Sequence, residues 1–113
     1  MSNKIIVRHI SDVEPVDCPC GKSTRILSRN DNPAISFHYT ETKDAKNHYH
    51  KKTAEIYFIL EGTGQMFLGE DLIELKPGLC IHIPPVVRHR VIGNIKTLVI
   101  ATPAFDPEDE FFD

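Results

Sequence analysis

The sequence has no tryptophan, three cysteines, and no apolar run approaching the length of a membrane span. The last of these excludes a spanning helix, which needs about 20 consecutive apolar residues, so no membrane partner is expected. Clustered lysine and arginine are also missing. With a formal net charge of −3 and a pI near 6.0, the chain lacks the basic stripe of a nucleic-acid binder, and no nucleic-acid partner is expected. The first residues, Met1 to His9, contain no apolar signal core, so a cytoplasmic location is expected. An odd cysteine count without an export signal reads as free thiols in a reducing compartment. Cys18 and Cys20 are expected as loop thiols and Cys80 as a small core residue.

A helical repeat is likewise absent. No window sustains an apolar period of 3.6 residues over three turns. Short apolar runs alternate instead with Gly, Pro and Asn punctuation, as strands do. Strands are expected at Ile35–Thr40, Asn47–His50, Glu55–Leu60, Gly64–Leu68, Leu72–Leu75, Leu79–Ile83, His89–Ile92 and Thr97–Ala101. Ser11 to Lys22 reads as a loop, flanked by one or two strands. At 113 residues the chain is most simply one domain, with a core at about 26–102 and an acidic tail at 103–113. That tail carries Phe105, Phe111 and Phe112, which suit packing across the body or into a partner subunit. Many short strands joined by tight turns imply an all-β sandwich or closed barrel.

What is present points to a metal. His48 and His50 are two residues apart, so on a strand both face one side. Glu55 lies an odd number of residues from each. A turn through Lys51, Lys52, Thr53 and Ala54 would place it on a neighbouring antiparallel strand. His89 follows far downstream. Three imidazoles and one carboxylate form a ligand set for a divalent transition metal, with Fe, Mn, Zn and Ni all compatible. Tyr57, two residues after Glu55, shares its inward face. Tyr57 and His82 are the candidates for handling protons in catalysis. Gln65 and Phe67 share a face, Phe67 reading chiefly as sheet packing. His9 and His38 carry no spacing that ties them to this set.

These residues resemble the two motifs of the cupins. His48-Tyr49-His50, Glu55 and Gly62 align with the first, and Gly78, Pro84 and His89 with the second. Thr42 and Val86 stand at motif glycines, and Gly93 stands where an asparagine is expected, with Asn94 one place later. The retained Gly62 is expected to make a positive-φ turn after the Glu55 strand. The resemblance implies a double-stranded β-helix, the cupin jelly-roll barrel, in a small stand-alone protein, with His48, His50, Glu55 and His89 as metal ligands. It fixes a site and not a reaction. The expected function is a small-molecule enzyme, dioxygenase-like or isomerase-like, on a 3-His/1-Glu centre. The alternative is a metal-stabilised binding or sensing module without turnover. Sheet edges that need cover make a homodimer the expected assembly.

Overall fold

Inward and outward residues alternate along the first half of the longest strand, and the phase switches at a bulge near Leu60. The structure, a computed structural model, describes residues 4–113. Nine strands follow a 3-10 turn at Ile10–Asp12: β1 (Val16–Cys18), β2 (Gly21–Leu27), β3 (Ser36–Lys43), β4 (His48–Tyr49), β5 (Ala54–Leu68), β6 (Asp71–Leu75), β7 (Cys80–Ile83), β8 (His89–Thr102) and β9 (Phe111–Phe112). A second 3-10 turn, Pro107–Asp109, precedes β9. All pairings are antiparallel, in the order β1-β2-β3-β8-β4-β9, with β5 pairing β6, β7 and β8. The sheet curls into a cupin-type barrel, as the strand pattern implies. None of the helical segments is long and apolar enough to cross a membrane.

On β5, Tyr57 and Ile59 point inward and are buried, whereas Ile56, Phe58 and Leu60 point outward and are exposed. Ile59, Met66, Ile83, Val91 and Ile95 form the apolar end of the interior. Burying each such side chain contributes roughly 1.5–3 kcal/mol. The other inner wall is polar. Ser23 on β2 and Ser36, His38, Thr40 and Thr42 on β3 are all buried. A barrel with one apolar and one polar inner wall has a packed end and a cavity end.

Two expected strand pairs are each one continuous strand. The runs 55–60 and 64–68 join as β5, and 89–92 and 97–101 join as β8. The dividing residues bend these strands without ending them. Gly62 and Gly93 take positive φ, 101° and 106°, and pair with Ile95 and Gly64 on the opposite strand. Gly62 therefore has the expected backbone, but inside a strand and not at a turn. A Cβ there would run into the carbonyl oxygen of Asn94.

Three further expectations are corrected. β4 and β5 do not form a hairpin: β4 pairs with β8 and β9. Cys18 and Cys20 are joined as a disulfide, because the turn between β1 and β2 brings their Cα atoms to 5.1 Å. That separation is ordinary for a bridge. Cys80 is exposed, not core. Alternation along β7 gives the two inward positions to Ile81 and Ile83.

Candidate metal centre

His48 and His50 share one face, as their spacing requires, and both are buried. His89 at the start of β8 lies directly opposite His48 across the ladder. Glu55 arrives from β5, where it sits between Ile83 on β7 and Ala101 on β8. The four side chains offer donor atoms that all lie within 4.8 Å of one another. The barrel's curl, and not a hairpin, brings Glu55 to the histidines.

Each imidazole is held by its outer nitrogen. His48 Nδ1 lies 3.0 Å from the Lys46 carbonyl oxygen, His50 Nδ1 2.9 Å from that of Asp109, and His89 Nδ1 3.0 Å from that of Val87. A carbonyl can only accept, so Nδ1 must carry the proton in all three rings. Each Nε2 is then left with its lone pair facing the centre. Such anchoring fixes tautomer and ring orientation.

Glu55 Oε1 is 3.2 Å from His50 Nε2 and 3.0 Å from His89 Nε2. Yet these three buried atoms make no hydrogen bond. The separations are close, but the directions miss the in-plane line that a ring N–H would need. Burial of polar atoms without partners is costly. Lone-pair donors crowded in this way are satisfied by a shared cation. Cis donors around an ion at about 2.1 Å are themselves about 3 Å apart, so the residues fit a divalent metal.

Electrostatics agree with a cation site. Burial opposes a charged Glu55, but His50 and His89 outweigh it and hold the carboxyl well below its usual range. Burial also disfavours a charged His50, but Glu55 overcomes this and raises its pKa. His48 is pushed down to about 4, first by burial and then by the neighbouring His89. It is neutral at neutral pH and ready to ligate.

The centre opens into a cavity of about 60 Å³, which Tyr57 also lines. The Tyr57 ring meets His89 edge-on at 6.0 Å. Burial, then Glu55, raises its pKa well above the usual tyrosine value. It therefore keeps its proton. His82 is on the outer face of β7, exposed and opposite Ile56. It takes no part in the cavity lining, because β7 gives its inward positions to isoleucines. Gln65 also faces outward and donates to Glu74 at 2.9 Å. Phe67 is exposed.

Other groups at the cavity carry no spacing signal. Ser23, Arg25, His38, Phe105 and Glu110 all line it. Glu110 Oε2 lies 4.0 Å from His48 Nε2, and burial raises its pKa. The acidic tail thus packs across the body and closes the site. Its strand β9 pairs with β4, Tyr49 stacks on Phe111 at 5.5 Å, and Lys51 lies over Phe111 at 4.4 Å. Arg88 pairs with Asp113 and covers Tyr49 at 4.1 Å. The aromatic residues Phe105, Phe111 and Phe112 were the sequence signal for this packing, which lies across the body.

The sequence profile of the cupin domain matches residues 37–100, more than half the chain. The chain is a cupin. It resembles the crystal structure of a protein from Planctomyces limnophilus with a TM-score of 0.90 and 37% identity, over 97% of this cupin and 98% of that chain. "Uncharacterized protein MJ1618" of Methanocaldococcus jannaschii is 42% identical over 66 residues, 55% of this cupin and 53% of that protein. A glucose-6-phosphate isomerase of Thermococcus litoralis is 46% identical over 56 residues, 43% of this cupin and 30% of the isomerase. The matches thus span about half of one curated relative and under a third of the other.

Proposed function

We propose that this cupin is a metal-dependent enzyme acting on a small molecule, with His48, His50, Glu55 and His89 holding one divalent transition ion. The observation that carries this reading is the trio of imidazoles fixed at Nδ1 by carbonyls, with His50 Nε2, His89 Nε2 and Glu55 Oε1 packed together unbonded. The ion, when bound, supplies a Lewis acid that polarises a substrate oxygen.

The chain's own residues do the rest. The apolar end of the barrel, built around Ile59 and Val91, excludes water from one side of the centre. Tyr57, which keeps its proton, donates to substrate oxygen and orients it. Glu110, a half-hidden carboxyl with a raised pKa, takes and returns a proton, the role such tuned carboxyls serve elsewhere. Isomerisation is favoured over dioxygenation. It needs only a relocated proton, for which Glu110 and Tyr57 suffice, and the Thermococcus relative bears the name of an isomerase. The exposed Ile56, Phe58 and Leu60 on the outer face of β5 support a homodimer that covers this face.

The test is metal content after purification without chelator, together with zinc titration of wild type, His50→Ala and Glu55→Ala. Stoichiometric metal in wild type and its loss in both variants is expected. Equal zinc binding by all three would overturn the proposal. Turnover assays of the loaded protein on hydroxy-carbonyl compounds would then separate enzyme from binding module.

A further inference from the structure

The polar inner wall holds an arginine that the metal chemistry leaves unused. Arg25 sits on β2, directly opposite His38 on β3. Its neighbour along the same face is Ser23, directly opposite Thr40. His38 in turn faces Val99, and Val99 faces Tyr57. Arg25, His38, Val99 and Tyr57 therefore form one row across the curled sheet, running from the polar wall to the metal centre. All four line the same cavity.

Arg25 Nε and Ser23 Oγ are buried and have no hydrogen-bond partner. The guanidinium instead lies over the Phe105 ring, 4.9 Å from its centroid. His38 meets the same ring edge-on at 5.8 Å. An arginine stacked on an aromatic face, with an unused buried N–H on the same strand face as an unused buried hydroxyl, is suited to a planar anion. Glu110 shares the cavity and offsets part of the arginine charge, but it makes no hydrogen bond or ion pair to Arg25 among the described residues.

We infer that Arg25 and Ser23 form a carboxylate subsite, and that the substrate is a small hydroxy or oxo acid whose other oxygen reaches the metal. This rests on the proposed metal centre and adds the substrate class to it. A carboxylate is planar and accepts two donors side by side, matching Arg25 Nε with Ser23 Oγ. Size points the same way. A cavity of about 60 Å³ holds roughly four water-sized groups, enough for a three-carbon acid. Arg25 and Ser23 are specificity-determining residues in this scheme. Any proton chemistry occurs at the metal end.

The probe is lactate, titrated calorimetrically into zinc-loaded protein. Propylene glycol serves as its neutral counterpart and inorganic phosphate as the second anion. Lactate is expected to bind, propylene glycol to bind much more weakly, and Arg25→Met to weaken lactate by about tenfold or more. Arg25→Lys should recover part of that loss, and Ser23→Ala should give a smaller one. Zinc affinity should be the same in every variant. Lactate binding that ignores Arg25→Met while zinc affinity stays intact would overturn the subsite alone. Phosphate binding tighter than lactate would overturn the carboxylate assignment. Failure of wild type to bind zinc would instead strike the metal centre. If Arg25→Met does not fold, Arg25→Lys and Ser23→Ala carry the comparison.

Discussion

Replacing Asp109 with alanine should damage both the stability of the barrel and its grip on metal. The Asp109 carboxylate accepts three successive backbone N–H groups, from Lys51 at 3.1 Å, Lys52 at 3.1 Å and Thr53 at 3.2 Å. Burial works against its charge, but those N–H groups hold its pKa below the usual value. Lys51 and Lys52 are exposed, so water can replace the carboxylate on their amides. Thr53 is 3% exposed, and its N–H would be left without a partner. An orphaned buried donor costs about 1–3 kcal/mol, and a lost charge-assisted bond about 1.5–3 kcal/mol. The two overlap, so the expected loss is about 2–4 kcal/mol. Asp109→Asn keeps one carboxamide oxygen and should lose about half as much. The same residue's backbone carbonyl receives His50 Nδ1, and the carboxylate sets where that carbonyl lies. Loosening such an orienting contact typically costs 10–100-fold in metal affinity. Urea denaturation of metal-free protein reads the first effect, and zinc titration reads the second. An Asp109→Ala protein with unchanged urea midpoint would refute the capping argument. One that is destabilised but binds zinc as tightly as wild type would refute the coupling to His50.

Two further outcomes follow from strain and from proton linkage. Val86 has φ of 76°, a conformation that costs a β-branched residue about 1–3 kcal/mol; Val86→Gly should therefore raise stability by about 1 kcal/mol after glycine's own entropy, and a lower urea midpoint would contradict the strain. Burial, then the Arg25 charge, lowers the His38 pKa from 6.5 to about 4. The unfolded chain then takes up a proton that the native state refuses, so this contribution is complete above about pH 6.5 and is lost as pH falls toward 4. At about pH 5 the loss amounts to about 2 kcal/mol. Metal-free His38→Gln should lose correspondingly less stability than wild type between about pH 7 and pH 5, and parallel losses would refute the assignment.

The four candidate metal ligands were legible in the sequence because same-face spacing on strands and ligand chemistry are both local signals. Glu55 was legible as a ligand but not in its route, since a hairpin and a curled sheet deliver it equally well on paper. Strand boundaries failed at Gly62 and Gly93 because glycine marks a bend as readily as an end. Val86 is the converse case. Its motif position asks for glycine, and the backbone does adopt a glycine-like φ, so the departure changes strain and leaves the loop geometry intact. His82 could be read as a pocket acid or base or as an outer-face residue because a lone strand has two faces, and the register with β5 gives the outer one. Arg25, His38 and Glu110 left no trace in the sequence pattern. Their convergence depends on pairings between β2, β3 and β8 and on a tail that folds back over more than 50 residues.

All three ring anchors at the centre are main-chain carbonyls, not side chains. No single substitution can delete an acceptor of that kind, so changes at Lys46 or Val87 leave the carbonyl in place, whereas at Asp109 the side chain also sets where the carbonyl lies. Side chains at Lys46 and Val87 can therefore change while the three rings keep the orientation that the proposed ion requires.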